Sequence, residues 1–274
     1  MSAASVQRLS RTRVWLEFYR LAFLRATGHR EFAPLRLSYP PLSVYAAKNP
    51  WQLYREIFVS ECYSPPVPLG ERPRILDLGA NIGMASLYFL TRWPQASLTA
   101  FEPNPRAFAL LTRNLSPAAF PAAEIQVEAS ALSTAEGTVE FTVPVENPTA
   151  VYASISQRAA GGQTTERVTV PTVDARRLFA APVDLVKLDI EGHEYPVLEH
   201  SLPAADMVRS LIIEFHEIRA HGERCRELLT RLLGEQGYEG TDENGRPLVP
   251  AEFAQREGAG LARLAARRTT TESL

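Results

Sequence analysis

A short, mainly apolar run, Arg74-Ile75-Leu76-Asp77-Leu78, enters Gly79-Ala80-Asn81-Ile82-Gly83 and is followed at once by helical spacing from Met84 to Leu90. The period changes from strand to helix across a glycine turn, with Leu87 and Leu90 on one helical face. That succession is the entry unit of a doubly wound α/β domain. Gly79 and Gly83 permit the sharp turn and a close backbone approach to a ligand. The first N–H groups of the helix starting near Gly83 have no partner within it, so they face the loop.

The spacing decides which ligand suits the loop. A dinucleotide fingerprint, G-x-G-x-x-G, would need glycine at the positions that hold Asn81 and Met84. A phosphate loop would need a lysine after Gly83, and none is there. What remains is D-x-G-x-x-x-G, with Asp77 near the strand end. A carboxylate there repels phosphate and suits a cation or an amino group. S-adenosylmethionine, with its sulfonium and α-amino groups, has that character; a plain strand-to-helix turn is the alternative.

One βα unit further on, Ser97–Phe101 reads as a second strand and ends in Glu102-Pro103-Asn104-Pro105. An acid at the tip of the second strand, about 20 residues past the glycine loop, is where ribose hydroxyls are held in this fold. Glu102 can accept both hydroxyl protons with its two oxygens. The competing reading makes Glu102 a cap for the helix that starts near Pro105.

Four motifs now stand in order: Asp77–Gly83, Phe101–Pro105, Ala131-Leu132-Ser133 with Gly137, and Lys187-Leu188-Asp189-Ile190-Glu191-Gly192-His193-Glu194. Together they resemble the FkbM family of S-adenosylmethionine-dependent methyltransferases. The resemblance implies a class I methyltransferase fold: a Rossmann-like, doubly wound α/β sheet of seven strands whose last pair is antiparallel. It further implies a cofactor site built from Asp77, Gly79, Ala80, Asn81, Gly83, Glu102, Pro103 and Asn104. Members of that family mostly methylate hydroxyls of polyketides, sugars or other natural products, and some act on nitrogen. The acceptor itself is not implied.

Composition narrows the rest. The chain has 274 residues, 45% hydrophobic, enough for a large core, with a formal net charge of -2. That charge provides no general field toward nucleic acid or an anionic membrane, and the Asn-Pro-Pro-aromatic signature of base N-methylation is absent. Cys62 and Cys225 form no disulfide framework, which suits a cytoplasmic protein. No signal peptide or membrane-length apolar run is visible. The only lysines are Lys48 and Lys187.

Three segments are expected: a helical cover over residues 1–70, the methyltransferase domain over 71–250, and a short helix with a loose tail over 251–274. In the cover, Trp15, Phe18, Leu21 and Leu24 recur at helical spacing, a face for the chain's own domain or for a homodimer mate. Leu35 to Ala46 reads as a hairpin, and Trp51 to Phe58 as a helix. Tyr54, Glu56 and Tyr63 are candidates to roof the site. Glu124–Glu128 is a third strand, and the turn after it places Ser130 and Ala131 at the adenine. Gly137–Val143 and Val168–Val173 read as strands joined by a loop around 147–165, either a substrate lid or a passive insertion. Tyr238–Thr241 and Arg246–Val249 read as a hairpin around Asn244-Gly245. The Ala- and Arg-rich end, with Arg263, Arg267 and Arg268, reads as a solvated helix.

The chemistry is expected on Asp184–His193. A central parallel strand is normally all apolar, yet this one carries Lys187 and Asp189 two positions apart, on one face. The next strand, Ser210–Glu217, repeats this with Glu214 and His216. If the two are neighbours, Lys187 pairs with Glu214 while Asp189 and His216 face the open end. Methyl transfer from a sulfonium needs alignment and, for a hydroxyl acceptor, a base. His193 and His216 are the candidate bases, and Asp189 serves the methionine end of the cofactor or the acceptor. Asp189, Glu191, Glu214 and Glu217 could hold a divalent ion that binds both oxygens of a diol acceptor, but no fixed metal-ligand spacing appears, so no metal is assigned. The rival readings are N-methylation of an amino or guanidino group and a cofactor-binding scaffold without turnover.

Overall fold

The computed structural model describes residues 9–27, 35–40, 42–46, 51–144 and 164–267. The loop expected around 147–165 therefore lies almost wholly outside the described residues, as does Arg268. The elements are α1 (Arg11–Ala26), β1 (Leu35–Arg36), β2 (Ser43–Val44), α2 (Trp51–Tyr54) running into a π-turn (Arg55–Val59), β3 (Arg74–Leu78), α3 (Met84–Arg92), β4 (Ser97–Phe101) and α4 (Pro105–Asn114). There follow β5 (Glu124–Glu128), β6 (Ala131–Ser133), β7 (Gly137–Pro144), β8 (Thr165–Asp174), α5 (Ala175–Leu178), β9 (Leu185–Leu188), α6 (Glu194–His200) and β10 (Ser210–Phe215). The chain closes with α7 (Gly222–Gly234), β11 (Tyr238–Asp242), α8 (Pro250–Phe253) and β12 (Gly260–Ala266).

Seven strands form one sheet in the order β11-β12-β10-β9-β3-β4-β5. The five from β10 to β5 run parallel, and β12 is antiparallel to both neighbours. This is the doubly wound class I methyltransferase sheet. Strand order reverses between β3 and β9, the crevice where such folds bind ligands. The central strands are apolar because helices cover both faces: Ile75, Leu78, Leu185, Val186, Leu188, Leu211, Ile212 and Ile213 are buried. A second sheet, β6-β8-β7, flanks the crevice and contributes Phe141 to its wall.

The end of the sheet corrects the sequence reading. A turn does form at Asn244-Gly245, with the Gly245 N–H donating to Asp242 O, but Thr241 and Pro247 make only a single bridge. The bridge is flanked by two bonds, from the Asp242 N–H to Arg246 O and from the Leu248 N–H to Gly240 O. The chain instead passes through α8 and returns as β12, which pairs with β11 over five positions and with β10 over six. Residues 260–266 are thus a buried strand, not a helix, and the domain extends past 250. Alanine content favours helix on propensity. Here pairing on both edges overrides it, and Leu261, Ala262, Leu264 and Ala265 are buried.

The N-terminal cover is not a separate body. Val14, Leu21, Leu37, Val44, Tyr54 and Phe58 share one core with Ile75, Leu87, Tyr88 and Leu98 of the sheet and α3. The buried stripe of α1 is Val14, Glu17 and Leu21, rotated from the expected one, and Trp15 is 41% exposed. Glu17 explains the rotation. Its carboxylate accepts from the Ser38 N–H and from Arg20, which holds the helix against the hairpin.

Candidate active site

The loop after β3 is shaped by contact with β9. At Gly79 the backbone is left-handed (φ 81°), and a Cβ would sit 1.7 Å from the carbonyl oxygen of Asp189. Only glycine fits, and the two strand ends close together. Gly83 (φ 89°) lets α3 start against α4, where a Cβ would meet Leu111 at 2.8 Å. The loop amides are already used: Gly79 and Ala80 donate to Phe101 O, and Asn81 donates to Glu102 Oε2 at 2.7 Å. The amides of Gly79, Ala80 and Asn81 are therefore spent on β4 and its tip, and the loop offers the cleft its shape and the Glu102 carboxylate.

That carboxylate belongs to Glu102, whose Oε1 accepts from the Asn104 N–H at 2.8 Å. Asn104, not Glu102, caps α4, its side chain accepting from the Arg106 N–H. With one N–H per oxygen, Glu102 keeps lone pairs for two more donors. Burial pushes it up to about 7 although both N–H groups favour the anion. It stands in a cleft of about 900 Å³, counting solvent at the mouth. Ile82, Met84, Leu132 and Phe141 provide apolar wall, while Asp189, Glu191 and His193 provide the polar end.

Behind that polar end lies a charged pair. Lys187 is cross-strand from Asp77 on one side and from Ile212 on the other. Its ammonium is 3.0 Å from Asp77 Oδ1 and 3.4 Å from Asp189 Oδ2, and it donates to Gly79 O at 2.9 Å. Asp77 also accepts from Ser86 at 2.6 Å. Burial opposes the charge on Lys187, but Asp77 and Asp189 outweigh it and raise its pKa. The expected Lys187–Glu214 pair is therefore replaced by Lys187–Asp77. The parallel register explains this, since Ile212, not Glu214, is level with Lys187.

Glu214 is tied in by Tyr63. The Tyr63 hydroxyl lies 3.0 Å from Asp189 Oδ2 and 2.8 Å from Glu214 Oε2. It has one proton to donate, so the second contact is met when a carboxyl carries a proton. Glu214 is suited to that, because burial and then the Asp189 charge push it up to about 7.

The two histidines differ. His216 Nδ1 is 3.0 Å from Glu194 Oε1, and its Nε2 is 3.5 Å from Glu191 Oε2, 3.9 Å from Asp189 Oδ1 and 4.0 Å from Glu214 Oε1. Burial works against a charged ring, but the hydrogen bond to Glu194 and the surrounding acids raise His216 to about 10. Glu191 is pushed by burial up to about 8, against the pull of His216. His193 is at the N-terminus of α6, and its Nε2 has no hydrogen-bond partner among the described residues. Burial lowers its pKa, so its ring is neutral at working pH.

Comparison with known proteins decides the family. The FkbM methyltransferase domain matches residues 77–239 of this chain. The chain belongs to the FkbM methyltransferase family. The methyltransferase sdnD of Sordaria araneosa is 30% identical over 256 residues, covering 80% of this chain and 92% of the relative. The hexuronic acid methyltransferase AglP of Haloferax volcanii is 31% identical over 51% of this chain and 54% of its own length. A solved FkbM methyltransferase from Methylobacillus flagellatus superposes with a TM-score of 0.39 at 14% identity, covering 92% of this chain and 59% of the other.

Family and fold imply S-adenosylmethionine as the methyl donor, and the donor set of the cleft fits it: a carboxylate with free lone pairs at the tip of β4 and acids at the tip of β9. Of the FkbM site residues read from sequence, Gly79, Ala80, Asn81, Glu102, Pro103, Asn104, Ser130, Ala131, Asp189 and His193 line this cleft. Asp77, Gly83, Glu214 and His216 do not. Among the candidate roof residues, Tyr63 lines the cleft, whereas Tyr54 is buried in the core with its hydroxyl on Tyr39 O. The sequence reading missed Glu194 as the residue that orients His216. Its signal was the acid in the first turn of α6, where it accepts from the Ile190 and Gly192 N–H groups.

Proposed function

We propose that this FkbM-family methyltransferase transfers the methyl group of S-adenosylmethionine to a hydroxyl of a small natural product or sugar. The observation that carries the reading is His193, whose Nε2 has no hydrogen-bond partner among the described residues and which lines the same cleft as Glu102. When bound, the donor supplies a methyl already activated on a sulfonium, so the protein has to align, exclude water and take one proton.

Each role falls to a named group. Glu102 receives the two ribose hydroxyls, Ser130 and Ala131 flank the adenine, and Asp189 holds the methionine end. Tyr63, from the N-terminal cover, shuts the polar end from solvent. His193 takes the acceptor proton. His216, ringed by acids and charged, is a poor base and acts as a positioning residue.

The acidic end wall favours a second reading, in which Asp189 and Glu191 orient a cationic amino or guanidino acceptor. Labelled donor offered with sugar, polyketide-type and amine acceptors separates the two. Methyl found on oxygen by mass spectrometry supports the first reading, and methyl found only on nitrogen overturns it.

A further inference from the structure

His216 presents an unusual arrangement of lone pairs. Glu194 is fully buried and accepts two backbone N–H groups, so it is held as an acceptor and takes the proton of His216 Nδ1. In that tautomer, Nε2 carries a lone pair. The lone pair is set among three carboxylate oxygens, those of Glu191, Asp189 and Glu214, at 3.5, 3.9 and 4.0 Å. Four acceptors converge on one small volume, and the nearest ammonium, Lys187, is committed to Asp77, Gly79 O and the other oxygen of Asp189.

Such a volume is satisfied by protons, on Nε2 or on its carboxyls, or by a metal ion. We propose that Asp189, Glu191 and His216 form a binding site for a divalent cation of the manganese and magnesium type. One ligand atom from each lies within 4.8 Å of the others, which suits a single ion. The set mixes two carboxylates with an imidazole, a donor combination proper to hard and borderline divalent ions. The carboxylate behind the imidazole is the outer partner that metal-ligating histidines generally have. Tyr63 and Lys187 both take Asp189 Oδ2, which leaves Oδ1 for the ion.

Three protein ligands leave positions open. Asp189 and Glu191 line the cleft, so those positions fall on its side. Two neighbouring oxygens of the acceptor, a vicinal diol or a hydroxy acid, would complete the shell, and the ion would lower the pKa of the hydroxyl to be methylated. This acceptor class rests on the proposed hydroxyl transfer; the ion site does not.

Titration of the full chain with Mn2+, followed by the loss of the free-ion electron paramagnetic resonance signal, tests the site. One ion per chain with a Kd below about 1 mM is expected, together with nitrogen coupling from a single imidazole in the pulsed spectrum. Glu191→Gln and His216→Gln should each weaken binding by about tenfold or more. Absence of bound Mn2+, or bound Mn2+ without nitrogen coupling, overturns the proposal, and the second readout needs no variant. S-adenosylhomocysteine binding measured on the same sample reports the donor cleft separately. A missing ion with intact nucleoside binding would therefore leave the methyl-transfer reading standing.

Discussion

Lys187 and Asp77 face each other across neighbouring parallel strands, ammonium to carboxylate at 3.0 Å, with their side chains 3% and 0% exposed. The pair is the girder of the site. Lys187 also holds Gly79 O, so the glycine loop, β3 and β9 are fastened at one point. Removing one member of such a pair leaves a buried charge without its partner, which costs about 3–5 kcal/mol. Lys187→Met is expected to lose that much in urea unfolding, and adding Asp77→Asn should return part of it. A loss under about 1 kcal/mol for the single variant would show that the pair holds nothing together.

The glycine loop allows a sharper test. A methyl group on Gly79 would meet Asp189 O at 1.7 Å, and the backbone is left-handed there. Gly79→Ala therefore displaces β9's tip, with Asp189, as well as straining the loop by about 1–3 kcal/mol. S-adenosylhomocysteine affinity, followed by calorimetry, is expected to fall at least about tenfold. Gly245→Ala is a suitable control: its φ is also positive but no atom lies within 4 Å of its Cβ, so it should leave affinity intact.

Glu102 makes nucleoside binding depend on pH. Without ligand it titrates at about 7, because burial outweighs the two N–H groups that favour its anion. Ribose hydroxyls donate to the anion, so binding expels the proton. Affinity should rise with pH up to about 7, by at most tenfold per unit, and be flat above it. Glu102→Gln should remove the slope. For the unliganded protein the sign is opposite: a carboxyl held above its ordinary value stabilises the fold at low pH, and that contribution is lost as pH rises through about 7. An affinity that is level across this window would remove Glu102 from the ribose site.

What the sequence displayed and what it hid divide along one physical line. Features fixed by local backbone chemistry were legible: Gly79 and Gly83 as turn positions and Glu102 at a strand tip. Those that depend on strand neighbours were not. Lys187 and Glu214 share a face period, but register puts Asp77 opposite the lysine. Asn244-Gly245 begins a hairpin that stops after one bridge, and the long partner of β11 arrives from residues 260–266, whose alanines suggest a helix. The grouping of Asp189, Glu191 and His216 has no linear spacing to betray it, since two adjacent parallel strands bring it together. Tyr63 reaches this group from a segment 126 residues away from Asp189.

His193 and His216 provide the last contrast, because their surroundings push them in opposite directions. His193 is half-buried, its Nε2 has no hydrogen-bond partner among the described residues, and burial lowers its pKa. A base of that kind remains available below the ordinary histidine value, so the acid limb of kcat/KM should lie under 6.5. His193→Gln is expected to reduce kcat by about 10²–10⁴ while leaving S-adenosylhomocysteine affinity within about twofold, since proton removal is separate from donor binding. His216→Gln should act through Asp189 and Glu191 instead, raising the acceptor KM as well as lowering kcat. If His193→Gln keeps full turnover with an unshifted pH profile, the proton leaves by another route, and the acid-lined end of the cleft becomes the place to seek it.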